Sequence, residues 1–167
     1  HYAELYEKYQ QALKDNNAVD FDDLLLLPLE IFEKFPKVLK SYQDKWKYIL
    51  VDEYQDTNKP QFMLVKYLAK SHQQICVVGD DDQSIYGWRG ADISNILDFE
   101  KTFKNSEIFK LETNYRSTTY ILDSAYSVVK NNHNRAPKEL VANIGEGEKL
   151  GLMQTNDEME ESDAVIS

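Results

Sequence analysis

Two adjacent carboxylates, Asp52 and Glu53, close the apolar run Tyr48-Ile49-Leu50-Val51. In an open parallel sheet, ligands collect at the carboxyl ends of the strands. A carboxylate placed there suits Mg²⁺, which is held through one or two acids together with substrate phosphates. Its neighbour can polarise a water for attack on a phosphoryl group. Asp52 is therefore the candidate metal ligand and Glu53 the candidate base. Any strand can end in acids, so the pair alone leaves its chemistry open.

A second chemistry-bearing stretch follows the apolar run Ile75-Cys76-Val77-Val78. It reads Gly79-Asp80-Asp81-Asp82-Gln83-Ser84-Ile85-Tyr86-Gly87-Trp88-Arg89-Gly90-Ala91. Gln83 is a neutral side chain able to sense a phosphate oxygen or an attacking water. Tyr86 and Trp88 offer flat faces on which unpaired bases stack, each worth about 1–3 kcal/mol. Arg89 can reach a phosphate or a carboxylate. The bland readings are a core tryptophan and a solvated acidic loop, and Asp81 and Asp82 receive no role. A third stretch, Leu111-Glu112-Thr113-Asn114-Tyr115-Arg116-Ser117-Thr118, sets a tyrosine beside an arginine at a strand end. Either Tyr115 packs and Arg116 pairs with an acid, or both meet a nucleotide.

The elements that must position these residues can be read from the pattern. Helical spacing predicts a first helix over 2–13, ended by Asp15-Asn16-Asn17. Asp20-Phe21-Asp22-Asp23 supplies cap-like acids for a second, whose Phe21, Leu24, Leu25, Phe32 and Phe35 recur at helical spacing. Pro28 predicts a kink or break in it, and 38–46 a further short helix. Strands are expected at 48–51, 75–78, 108–111 and 150–153, with helices at 60–70, 94–103 and 118–130. The first two strands are continuous rather than alternating, which predicts burial on both faces of a parallel sheet. The acidic run Asp157-Glu158-Met159-Glu160-Glu161 reads as a solvated helix start. The fold class is α/β.

Composition sets bounds. A chain of 167 residues with 42% hydrophobic content can build a packed core. Its apolar runs are only a few residues long, so no membrane span or signal peptide is expected, and a soluble, cytoplasmic protein is. The single cysteine, Cys76, excludes an internal disulfide and is expected to be a buried structural thiol. A net charge of −10 counts against tight non-specific attraction to nucleic acid.

The exact strings carry more than their parts. Val51-Asp52-Glu53-Tyr54-Gln55-Asp56-Thr57-Asn58 resembles the Walker B-containing motif II of superfamily-1 helicases. The stretch from Gly79 to Ala91 resembles motif III, and that from Leu111 to Thr118 motif IV, of the UvrD/Rep/PcrA-type ATP-dependent DNA helicases. The resemblance implies a RecA-like P-loop NTPase motor fold, a parallel sheet flanked by helices, incomplete in this chain. It places the later part of a first motor domain at 1–112, with a helical lead-in at 1–46, and the start of a second at 113–167. It implies ATP and Mg²⁺ as ligands. Gln83 then couples the γ-phosphate to DNA, Tyr115 stacks on the adenine, and Arg116 contacts the γ-phosphate as a finger. Tyr86, Trp88 and Arg89 line or adjoin the DNA track. The implied partners are single-stranded DNA and duplex junctions, with 3′ to 5′ movement, in replication or repair.

ATP hydrolysis by such a fold needs a glycine-rich loop ending Gly-Lys-Ser/Thr. None of Gly79, Gly87, Gly90, Gly145, Gly147 and Gly151 is followed by lysine. The chain is thus expected to be an internal piece of a motor, inactive by itself, with an unpaired sheet edge that favours self-association. Two other functions compete. One is a non-catalytic DNA- or protein-binding module derived from a motor. The other is a metal-dependent nuclease using Asp52, Glu53 and the Asp80-Asp81-Asp82 cluster.

Overall fold

The computed structural model describes residues 1–133 and 135–166. They form two compact units, His1–Ser106 and Glu107–Ser167.

The first unit opens with helices α1 (Tyr2–Asp15), α2 (Asp23–Lys34) and α3 (Pro36–Lys45). Asp20 and Asp23 exchange backbone-to-carboxylate hydrogen bonds at 2.8 and 3.3 Å, which explains the acids at the start of α2. Asp20 also accepts from the Tyr9 hydroxyl at 2.9 Å. The Asp23 backbone first, then Tyr9, hold the Asp20 carboxyl below its usual range. The helix runs through Pro28 without a break. A proline removes one hydrogen bond, and packing of α2 on its neighbours carries the helix past it. Pro36 sits in the first turn of α3, where its missing N–H costs nothing.

Strand β1 (Ile49–Val51), helix α4 (Lys59–Ala69) and strand β2 (Ile75–Val77) form a β-α-β unit. The strands are parallel, pairing Ile49 with Ile75, Leu50 with Cys76 and Val51 with Val77. Helix α4 starts at a reciprocal capping box: Asn58 accepts from the Gln61 N–H, and the Gln61 side chain accepts from the Asn58 N–H. Helices α2, α3 and α4 pack together. Phe32 and Tyr42 meet there at 5.8 Å, and Gln43 donates to the Tyr67 carbonyl at 2.7 Å.

The two strands are not buried on both faces. Leu50 is 80% exposed, and its register partner Cys76 is exposed too. The thiol is therefore not the buried structural group its apolar neighbours suggested. Successive strand residues point to opposite faces. Here Ile49, Val51, Ile75 and Val77 take the covered face, leaving Leu50 and Cys76 on the other.

Beyond β2 the expected helix over 94–103 is two short ones, α5 (Ser94–Leu97) and α6 (Phe99–Thr102), divided at Asp98. The division lets Phe99 meet Tyr54 edge-on at 5.7 Å and Phe103 at 4.8 Å. Tyr54 is fully buried by this cluster, and burial pushes its hydroxyl up to about 12.

The second unit contains β3 (Thr113–Asn114), α7 (Thr119–Val129), β4 (Val141–Ala142) and α8 (Glu158–Ile166). Strands β3 and β4 are parallel, with Thr113 opposite Val141 and Asn114 opposite Ala142. The expected strands at 108–111 and 150–153 do not form. Phe109, Leu111 and Leu152 are 79%, 85% and 99% exposed, so nothing among the described residues covers these apolar runs. Pairing instead starts at Glu112, whose carbonyl accepts the Val141 N–H, and ends at Asn114, which accepts from Asn143. Asp157 caps α8 through the Glu160 N–H at 2.8 Å, as its acidic start predicted.

The described residues mix helices with two small parallel sheets, compatible with an α/β class. Among the described residues no helix is long and apolar enough to cross a membrane.

Candidate active site

Asp52 and Glu53 leave the carboxyl end of β1 and are both exposed. The Glu53 N–H donates to Asp52 Oδ1 at 2.9 Å. Glu53 adopts φ 49°, ψ 43°, the left-handed region that side chains with a Cβ avoid. Such outliers cost about 1–3 kcal/mol and persist only where the surroundings enforce them. Here the enforcement is visible. On one side Tyr54 donates its N–H to the Val78 carbonyl at 3.0 Å; on the other Asp56 donates to the Glu53 carbonyl at 2.9 Å. The sharp turn lifts Glu53 off the strand and starts the 3₁₀ turn Tyr54–Asp56.

Beneath Glu53 lies Gln55, only 1% exposed. Its amide nitrogen donates to Glu53 Oε2 at 2.8 Å and, more weakly, to Asp56 Oδ2 at 3.4 Å. Its oxygen accepts the Asp80 N–H at 3.0 Å. Asp80 in turn accepts from the Gln83 amide at 2.8 Å and from the Asp82 N–H at 2.9 Å. The ends of β1 and β2 are thus tied together, and Glu53 and Gln83 belong to one hydrogen-bonded chain. Gln55 is the participant that sequence reasoning missed.

The loop after Gln83 keeps its aromatics outside. Trp88 is 79% exposed and Tyr86 40%. The Arg89 guanidinium lies 5.3 Å from the Trp88 ring, a cation–π distance. Gly90 closes this turn at φ 85°, donating to the Gly87 carbonyl at 3.0 Å, a conformation that suits glycine. Trp88 is therefore not a core tryptophan in this structure.

One carboxylate oxygen from each of Asp80, Asp81 and Asp82 lies within 4.8 Å of the other two. Both oxygens of Asp80 already accept hydrogen bonds from Gln83 and Asp82. Asp52, exposed and offering hard oxygen ligands at a strand end, fits the donor chemistry of Mg²⁺.

In the second unit Asn114 ends β3 and accepts from the backbones of Arg116 and Ser117, at 2.9 and 2.7 Å. This Asx turn presents Tyr115, 72% exposed, and Arg116, also exposed. Arg116 forms no ion pair among the described residues. The bland reading, a packed tyrosine beside a paired arginine, is not realised within this unit.

Comparison with known proteins shows the family of the chain. Residues 1–104 match the UvrD/REP helicase N-terminal domain, and residues 109–167 the UvrD-like helicase C-terminal domain. The chain is 52% identical over 164 residues to ATP-dependent DNA helicase PcrA of Staphylococcus aureus, covering 98% of this chain and 22% of that protein. It is 51% identical over 163 residues to PcrA of Bacillus subtilis, with the same coverage. PcrA of Staphylococcus epidermidis is 50% identical over 165 residues. The chain spans less than a quarter of the length of these relatives, 22% in each case.

Proposed function

The chain belongs to the UvrD/REP helicase family, and from that premise we propose that it supplies part of an ATP-dependent DNA motor. The motor hydrolyses ATP, moves along single-stranded DNA and opens duplex junctions. One observation carries the reading: Glu53 and Gln83 are tied into a single hydrogen-bonded chain across the carboxyl ends of two parallel strands, with Asp52 beside them. That is where an open parallel sheet takes its ligand.

In this reading 1–112 form the later part of a RecA-like motor domain and 113–167 open the second, a junction drawn a few residues after the compact-unit boundary at Ser106. Asp52 would hold Mg²⁺, which would supply neutralisation of phosphate charge. The Glu53 carboxylate accepts a proton from water as the water oxygen bonds to the γ-phosphorus. The bond from that phosphorus to the bridging oxygen breaks, leaving ADP and phosphate. Gln83 touches the γ-phosphate or the attacking water, Tyr115 stacks on the adenine, and Arg116 stabilises charge on the transferring group. Direction of travel, 3′ to 5′, follows the family and no spacing in this chain. The 167 residues contain no Gly-Lys-Ser/Thr loop, so alone they are proposed to be inactive, and the uncovered Leu50–Cys76 strip favours their self-association.

The exposed Tyr86–Arg89 turn supports the DNA role. At a net charge of −10, general electrostatic attraction is weak, so stacking must carry more of the local contact. In a complete motor carrying this segment, Trp88→Ala is expected to lower DNA-stimulated ATP hydrolysis more than basal hydrolysis. Loss of one stacked base weakens single-strand binding by about 1–3 kcal/mol, roughly 5- to 150-fold. Phosphate release with and without a single-stranded oligonucleotide checks this. Equal loss in both conditions would assign Trp88 to packing.

The nuclease reading finds less support, because the Asp80 carboxylate is already engaged by Gln83 and the Asp82 backbone.

A further inference from the structure

The motor reading gives roles to Glu53 and Gln83 but none to the side chain between them. Gln55 is buried to 1% exposure at the edge of an otherwise exposed site. A buried amide is costly unless its donor and acceptor are both used. Here both are. The nitrogen serves the Glu53 and Asp56 carboxylates, and the oxygen serves the Asp80 N–H. Neither end can be exchanged. A carboxylate only accepts, and a backbone N–H only donates, so the amide has one workable orientation.

Access for this amide depends on Gly79. A Cβ there would lie 2.5 Å from Gln55 Oε1, 2.8 Å from Ile96 Cδ1 and 3.2 Å from the Tyr54 nitrogen. The missing side chain at 79 is therefore the space that Gln55 occupies. Ser84 adds a hydrogen bond to the Gln55 carbonyl at 3.3 Å, so the same loop grips both the backbone and the side chain of this residue.

We propose that Gln55 is a positioning residue: its buried amide fixes the Glu53 carboxylate for water activation and links it to the Asp80–Gln83 turn. The proposal rests on the assignment of Glu53 as base. A shift of the turn, which leads directly into the Tyr86–Arg89 loop, pulls on the Asp80 N–H. The pull reaches Glu53 through a single amide. Glu53 sits on a strained left-handed backbone with few other restraints on its side chain, so loss of the Gln55 donor releases it. The link also gives DNA on the loop a route to the base. The substrate class is unchanged; the inference concerns which residue makes hydrolysis sensitive to the loop.

The test uses a complete motor carrying this segment, with Gln55→Met, Gly79→Ala, the double variant and Glu53→Gln measured in parallel. Methionine keeps the length of glutamine and removes its hydrogen bonds. Alanine at 79 displaces the amide while leaving Gln55 in place. Each single variant is expected to lose about 10–100-fold in DNA-stimulated kcat, the usual cost of removing a residue that orients a reacting group. KM for ATP should change little, because neither residue touches nucleotide. The double variant should be no worse than the poorer single, since both changes break one link. A folding defect would lower the melting temperature and the fraction of active molecules without this non-additivity. If Gln55→Met does not fold, Gly79→Ala decides alone by its kcat-to-KM split. Normal kcat in a folded variant, or losses that multiply in the double, overturns the proposal. If Glu53→Gln is inactive while Gln55→Met is normal, only the link fails. If Glu53→Gln itself turns over normally, the assignment of the base fails with it.

Discussion

In a complete motor carrying this segment, Glu53→Gln is expected to bind ATP and to lose turnover by about 10²–10⁴-fold, the contribution of a positioned general base. The substitution is mild in shape. Its amide oxygen can still accept the hydrogen bond that Gln55 now gives to Glu53 Oε2. The left-handed turn at 53 and the Tyr54 anchor on Val78 therefore stay in place. What disappears is the ability to take a proton from water. Titration with a fluorescent ATP analogue should give unchanged affinity while phosphate release collapses. Turnover at the parent rate would remove Glu53 from the chemistry and leave its strained backbone without a catalytic explanation.

Arg116→Ala should cost as much or more. A finger arginine stabilises charge that exists only during transfer, and its removal lowers kcat by about 10³–10⁵-fold. The structure makes this a clean experiment. Arg116 is exposed and has no ion-pair partner among the described residues, and the turn that presents it is held by Asn114 through backbone groups. Truncating the side chain leaves those bonds intact, so stability should move by no more than about 0.5 kcal/mol. Lysine should rescue poorly, because it lacks the planar fork that grips phosphate oxygens. Thermal melts alongside steady-state hydrolysis separate the two effects. A large fall in melting temperature with little change in kcat would make Arg116 a structural residue.

Candidate residues were more legible in the sequence than the geometry that positions them. Asp52 and Glu53 were readable as the acids that close a strand, though only the longer string through Asn58 narrowed their proposed chemistry, and β1, α4 and β2 followed from runs bounded by clear turn signals. Asn58 and Gln61, spaced three apart, spelled the start of α4. The second sheet was not readable. Residues 108–111 and 150–153 are more apolar than Thr113–Asn114, yet pairing went to the latter because α7 returns the chain to Val141 and not to Leu150. Hydrophobicity marked candidate strands; the crossover chose between them. The exposure of Cys76 was hidden for a related reason: a short continuous run does not say which of its faces is covered. Gln55 was hidden more deeply. A glutamine between tyrosine and aspartate reads as a surface residue, and its burial depends on Gly79 and Asp80, the latter 25 residues along the chain. The left-handed backbone of Glu53 carries no signal in a residue type that ordinarily avoids it.

In the proposed function, Asp52, Glu53, Gln83 and Arg116 of a complete motor are proposed to act on one triphosphate. The most direct measurement is a crystal structure of a complete motor carrying this segment, bound to Mg²⁺ and a non-hydrolysable ATP analogue. An Asp52 carboxylate oxygen is expected in the Mg²⁺ coordination sphere, directly at about 2.0–2.1 Å or through a bound water. Glu53 is expected to face the water side of the γ-phosphate, with Gln83 and Arg116 in hydrogen-bond reach of its oxygens. A nucleotide bound elsewhere, or a γ-phosphate beyond reach of Glu53, Gln83 and Arg116, would contradict it.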